Sequence, residues 1–188
     1  MQFFLRTLFL FCTTIFFLHG ECISPWYARL GTGVNLFHAK VPHMDYQFRP
    51  GVVVSGAIGY EWNRYLDGLV FELESAYRWN HISQIKFYGF NTHIHGNLQA
   101  VTIMGNVMYK YPWCYPVKPF FGAGGGYGYQ RTSLSHFRTN HSRWAVQIFA
   151  GLNYLYLDCY EFSLQYQYVD LAKDLKAHSI FLSLLRHF

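Results

Sequence analysis

Past its first twenty residues the chain lacks any unbroken apolar run of the ~18–20 residues that a helix needs to cross a bilayer. The apolar-rich stretch Trp144 to Leu157 is interrupted by Gln147, Gly151 and Asn153. Charge is scarce as well. Asp, Glu, Lys and Arg make up 13% of the 188 residues, against about 25% in a typical soluble domain. Aromatic residues, at 21%, are abundant instead. Such a surface faces something other than water over much of its area. An apolar-rich chain without spanning helices leaves the closed β-barrel as the transmembrane solution, because lipid offers no partner to an open sheet edge. A soluble β-sandwich is the competing architecture.

The one long apolar run is N-terminal. Arg6 precedes the uncharged segment Thr7 to Gly20, and Glu21 follows it. This is the layout of a secretory signal peptide with a small residue at its cleavage point. Residues 1–20 are therefore expected to be the signal and residues 21–188 one domain. Cys22 sits behind Glu21 rather than behind small residues, which disfavours a lipidated cysteine. Three cysteines remain after cleavage, and an oxidising compartment would allow a disulfide. Cys114 and Cys159 fall in turns expected on the same side of the membrane and could pair. Inert thiols are the alternative, with Cys22 left to pair between chains.

Strands are read from alternation, since successive side chains of a strand point to opposite faces. Val52, Val54, Ile58, Tyr60 and Trp62 interleave with Val53, Ser55, Ala57, Gly59 and Glu61. Leu69, Phe71, Leu73, Tyr77 and Trp79 oppose Val70, Glu72, Glu74, Ala76 and Arg78. Val101 to Tyr109 alternates likewise. In Phe121 to Tyr129 the inward set is glycine throughout: 122, 124, 126 and 128. Trp144 to Tyr156, Phe162 to Tyr168 and Ile180 to Phe188 complete the pattern, with Trp26 to Phe37 the least regular member. The sequence thus predicts an all-β, eight-stranded, antiparallel up-and-down barrel with strands of about ten residues. Segments near 38–50, 81–96, 130–143 and 170–177 are long, whereas 63–68, 110–118 and 157–160 are short. Transmembrane barrels carry long loops outside and short turns in the periplasm. Both termini are then periplasmic. Rings fall in two belts, as interfacial aromatics should: Trp62, Tyr109, Tyr156 and Phe188 at one end, Tyr77, Trp79, Tyr129, Trp144 and Tyr168 at the other.

An interior this narrow is just wide enough for side chains to fill. Arg29, Glu61, Glu72, Glu74 and Arg78 all face it, and buried charges must pair or cost several kcal/mol each. A structural ion-pair network plugging the barrel is the expected content; the same residues would line a narrow gated pore. Histidines 38, 43, 81, 93, 95, 136, 141 and 178 gather at the outer end, where imidazole makes surface charge responsive near pH 6. His93 and His95 have no third metal ligand, and no cofactor is expected. His141-Ser142 and Ser135-His136 supply residue types for a barrel enzyme acting on lipid or protein, but adjacent residues seldom face each other and no orienting acid is near. Lys40, Arg49, Lys86, Arg131, Arg138, Arg143, Lys173 and Lys176 make the exterior basic, in keeping with a net charge of +5. Such a face attracts lipopolysaccharide phosphates or acidic host glycans; export argues against nucleic acid.

The chain resembles the bacterial outer-membrane β-barrel superfamily that includes the OmpA and OmpX-type barrels, the opacity porins and the rickettsial surface antigens. The likeness is carried by GAIGYEWNRYLDGLVFELESAYRWN (Gly56 to Asn80), NVMYKYPWCYPVKPFFGAGGGYGY (Asn106 to Tyr129), and the closing YEFSLQYQYVDL and HSIFLSLLRHF. The glycine strand after Lys118-Pro119 and the terminal Phe188 are its most specific pieces. The resemblance implies outer-membrane location and a C-terminal signal read by the barrel-assembly machinery, here Ile180, Leu182, Leu184 and Phe188. Arg186 departs from that pattern, where an aromatic is usual. The expected function is that of a non-catalytic surface protein with a structural or adhesive role through four outer loops, with a barrel enzyme modifying lipid A or cleaving proteins at the outer rim as the alternative. Its partners would be outer-membrane lipid, lipopolysaccharide, the assembly machinery and host surface molecules.

Overall fold

The computed structural model describes residues 24–41, 44–62, 67–87, 90–92, 96–112, 116–134, 137–157, 159–172 and 175–188. They form ten strands: β1 (Trp26–Val41), β2 (Met44–Phe48), β3 (Gly51–Trp62), β4 (Leu69–Phe87), β5 (Phe90–Thr92), β6 (Gly96–Lys110), β7 (Val117–Leu134), β8 (Phe137–Leu157), β9 (Tyr160–Ala172) and β10 (Leu175–His187). Ten strands make eight staves. β2 and β3 both lie between β1 and β4, so they are one stave interrupted at Arg49-Pro50, where proline has no N–H to give the ladder. β5 is a short return paired only with the end of β4. The remaining strands pair antiparallel in chain order. β10 then closes on β1, from Tyr27 opposite His187 to Ala39 opposite Leu175. The result is a closed eight-stranded antiparallel barrel. The first strand, the least regular in sequence, is paired along its whole inner length on both sides.

Alternation sorts the side chains as the sequence predicts. Along β4, Val70, Glu72, Glu74, Ala76, Arg78 and Asn80 are buried while Phe71, Leu73, Tyr77 and Trp79 are exposed on the outer face. Leucine, valine and isoleucine exposed on every stave form a continuous apolar wall, the surface a bilayer requires. The rings touch at its edges, with Trp62 against Phe71 at 6.2 Å and Tyr127 against Trp144 at 6.2 Å between centroids.

The strands are longer than expected. β4 has 19 residues, β7 has 18 and β8 has 21. Stretches read from sequence as outer loops are in large part ladder, because Gly96 to Ala100 pairs with Gln130 to Leu134, and that segment pairs with Phe137 to His141. Apolar alternation reports contact with lipid; the hydrogen-bonded ladder needs no lipid and runs on beyond it. Residues 1–20, expected from the sequence to be a signal peptide, lie outside the described residues, as do His43, His93, His95, Ser135 and His136.

The glycine strand makes room for what faces it. A Cβ on Gly124 would collide with the Asn106 side chain, and one on Gly126 with the main chain of Ile103 and Met104. Gly126→Ala is therefore expected to destabilise the barrel by about 1–3 kcal/mol, the cost of forcing a packed backbone apart. Urea unfolding of the barrel in lipid vesicles, followed by its heat-modifiable migration, checks this.

Candidate functional site

The inward faces of the staves build a filled, layered interior. At its centre Arg29 grips Glu72 with two parallel bonds, Nη2 to Oε1 at 2.6 Å and Nε to Oε2 at 3.0 Å. This planar fork-to-carboxylate geometry is the strong form of the ion pair. Arg29 Nη2 also lies 3.6 Å from Glu74, and its Nη1 donates to Gln165 Oε1 at 3.0 Å. Tyr27 donates its hydroxyl to Glu72 at 2.9 Å. Asn106 donates to both glutamates, at 3.1 and 2.9 Å. Gln147 donates to Glu74 at 3.1 Å and to Asn106 Oδ1 at 2.6 Å, and Gln167 donates to Gln147 at 2.8 Å. Two carboxylates are thus held by one guanidinium and a cage of amides.

Two residues expected in that network stand apart from its ion pairs. Arg78, with 0% of its surface exposed, donates to neutral oxygens, Thr102 Oγ1 at 2.9 Å and Gln167 Oε1 at 2.8 Å. Its hydrogen-bonded link to Glu74 runs through the Gln167 amide. Glu61 belongs to a second cluster at the periplasmic mouth. There Lys110 Nζ bridges Glu61 Oε1 at 2.5 Å and Glu161 Oε2 at 3.1 Å. His187 Nε2 lies 3.3 Å from Glu161, and Asn153 donates to the same carboxylate at 3.1 Å. The ligating atoms of Glu61, Glu161 and His187 lie within 4.8 Å of one another, but the Lys110 ammonium already sits between the carboxylates as their cation.

Sequence reasoning did not single out Lys110, Glu161 or His187 for this cluster. Glu161 and Lys110 occupy the inward phase of their strands, and that phase was the available signal for both. Nearer the outer end a neutral set takes over: Asn35 donates to Asn80 at 2.7 Å, Ser179 donates to Asn35 at 2.7 Å, and Asn80 donates to the Arg49 carbonyl at 3.0 Å.

Apolar layers bracket the polar centre. Tyr27, Val70, Met108, Phe120, Phe149 and Leu185 pack below it, and Phe37, Leu98, Val169, Leu171 and Leu175 pack above. The outer rim is basic. Arg49, Arg143, Lys176, His38, His81 and His141 are exposed there, and Arg131 and His178 are half-buried. His38 stands opposite Lys176 across the closing seam. His141 and Ser142 are neighbours on β8 and so point to opposite faces of it, facing Gln130 and Tyr129 in the ladder.

At the other end, Ile180 and Leu182 are exposed on the outer wall, while Leu184 and Phe188 are half-buried. Arg186 is buried on that face, its guanidinium 5.7 Å from the Tyr160 ring and 5.8 Å from the Phe188 ring. Two aromatic faces accommodate the cation where the pattern expects a ring. Cys159 is disulfide-bonded; Cys22 and Cys114 lie outside the described residues.

A closed barrel with an apolar wall, ringed by aromatics and filled by side chains, defines a small transmembrane barrel of the outer-membrane class. Residues 24–188 match the family model of the outer membrane protein beta-barrel domain, and the chain belongs to that family. Its fold is shared by Neisserial surface protein A (TM-score 0.65, 15% identity, covering 88% of this chain and 98% of that one). OprG of Pseudomonas aeruginosa is also similar (TM-score 0.60, 12% identity, 90% and 99% covered). So is Ail, the attachment invasion locus protein of Yersinia pestis, in complex with the heparin analogue sucrose octasulfate (TM-score 0.55, 16% identity, 87% and 99% covered). No curated protein matches the chain in sequence.

Proposed function

We propose that this outer-membrane barrel is a non-catalytic surface protein with a structural and adhesive role, binding acidic ligands through its outer rim. Its ligands are lipopolysaccharide phosphates and acidic host glycans. The observation that carries this reading is the division of charge: Arg29, Arg78 and Lys110 inside the barrel are bonded to carboxylates, amides and a hydroxyl, whereas the rim presents Arg49, Arg143, Lys176 and four histidines. A filled interior favours a plug over a pore, and steady open channels of porin size in planar bilayers would contradict it. That Ail binds a heparin analogue shows that a barrel of this fold can take a sulfated ligand.

Heparin is the probe. The barrel in nanodiscs is expected to bind immobilised heparin in a salt-sensitive manner. Replacing Arg131, Arg143 and Lys176 together with glutamine should weaken binding about tenfold, since each exposed ion contact contributes roughly 0.2–1 kcal/mol. Heat-modifiable migration should be unchanged. Binding that ignores the three substitutions would refute the rim as the site.

A further inference from the structure

The lipid-facing wall carries an apolar groove of about 760 Å³ on its periplasmic side. One flank is a row of residues paired across the ladder: Val117, Tyr154, Phe162, Leu184 and Leu30, on β7, β8, β9, β10 and β1. The other flank is the next row toward the outer end, from Leu152 through Leu164, Leu182 and Thr32 to Val54. Between the two the floor is formed by Ser163, Ser183, Gly31 and Ser55, which belong to the inward phase of their strands.

Close packing accounts for the depression. Inward side chains this small let the wall settle toward the lumen until it meets what lies there. A Cβ on Gly31 would stand 2.9 Å from Ser183 Cβ and 3.1 Å from Ser55 Oγ, so no slack remains beneath the floor.

The groove is oblique to the membrane. Val117 is the first residue of β7, Tyr154 and Phe162 stand close to the periplasmic ends of β8 and β9, and Leu30 and Thr32 are in the body of β1. Four steps between staves at ~4.8 Å each carry it about 19 Å from Val117 to Leu30. With strands tilted ~40° that path rises roughly 12 Å, most of one leaflet of a ~30 Å hydrocarbon core.

Width and polarity select the occupant. Flanks two residues apart are ~6.6 Å apart, too close for an α-helix ~10 Å across. An extended peptide would bring unpaired N–H and C=O groups into hydrocarbon. A second barrel presents a convex wall and cannot enter. We propose that the groove binds one acyl chain of a phospholipid of the periplasmic leaflet, with the head group beside Val117 and Tyr154 and the chain reaching Leu30 and Thr32. Tyr154 and Tyr156, both exposed at the foot, put amphipathic rings at the level of the head groups. Bulk lipid is as apolar as leucine, so the groove holds its chain by packing against it on three sides rather than by hydrophobic transfer.

The test uses the full barrel in vesicles of phosphatidylethanolamine and phosphatidylglycerol, with a trace of phosphatidylethanolamine carrying a diazirine at the end of a sixteen-carbon chain. Photolysis and peptide mass spectrometry locate the adducts. At roughly 1.2 Å per bond of an extended chain, adducts are expected at Leu30 and Thr32, and a ten-carbon analogue should label Phe162 and Leu184 instead. Thr32→Phe places a ring in the groove and should cut labelling at Leu30 about tenfold, because a displaced chain forfeits its summed dispersion contacts. Val34→Phe, on the same face of β1 but outside the groove, should leave labelling unchanged. Leu164→Trp is the second variant should Thr32→Phe fail to reach the heat-modifiable form. The inference is overturned if adducts spread over all eight staves in proportion to exposure, if both chain lengths label the same residues, or if neither groove variant lowers labelling. Lipopolysaccharide with the same label reaching Leu30 as readily as the phospholipid would overturn the assignment to the periplasmic leaflet.

Discussion

Replacing Glu72 with leucine is expected to lower the unfolding free energy of the barrel by about 3–5 kcal/mol, because it leaves the buried Arg29 guanidinium without its principal counter-charge. The change removes the acceptor of both Arg29 fork bonds, of the Tyr27 hydroxyl and of one Asn106 bond. Glu74, at 3.6 Å, is too far from Arg29 to replace the fork. The variant Arg29→Met, Glu72→Leu, Glu74→Gln should recover most of the loss, since Arg29 is the ion-pair partner of both carboxylates and swapping a whole buried charge set for neutral residues is often neutral. Glu61→Gln should cost far less. Its side chain is 20% exposed, and Lys110 keeps Glu161. Urea titration in lipid vesicles of the three variants gives the order, and equal losses at Glu72 and Glu61 would show that the central fork is not the interior's anchor.

The outer face and the barrel closure were legible in the sequence because the bilayer imposes a two-residue period on every stave. The glycine strand was legible as an empty inward face, and the structure shows what fills it: Asn106 beside Gly124, and the Phe149 ring with Met108 beside Gly122. What a period cannot convey is reach. Arg78 and Glu74 share a face two inward positions apart, yet Arg78 donates to Thr102 and Gln167 from β6 and β9, the first on the adjacent stave and the second across the barrel. Lys110 stands at a strand end, where the inward phase and the start of a connecting turn look alike. The outer hairpins look like loops in sequence because RTSLSHFRTNHSR has no lipid to face, and only the ladder shows that they are wall.

Leu73 lies between Glu72 and Glu74 in the chain and in the opposite solvent. It is 62% exposed, with Ile58 and Gly105 beside it in the ladder, midway between the two belts of rings. On a soluble sheet an exposed Leu→Arg change would shift stability by about 0.5 kcal/mol or less. On the lipid face near the bilayer midplane the same change costs roughly 2–4 kcal/mol. Leu73→Arg is therefore expected to lose about 3 kcal/mol in urea titrations from lipid vesicles, while Arg143→Leu at the rim should lose almost nothing. A chain whose carboxylates at 72 and 74 are buried can tolerate no charge at 73 between them, and that inversion follows from closure. The interior must carry the polar groups because the outside is oil. A near-neutral Leu73→Arg would mean that water bathes this wall, and the division of charge that supports a rim-binding surface protein would lose its physical cause.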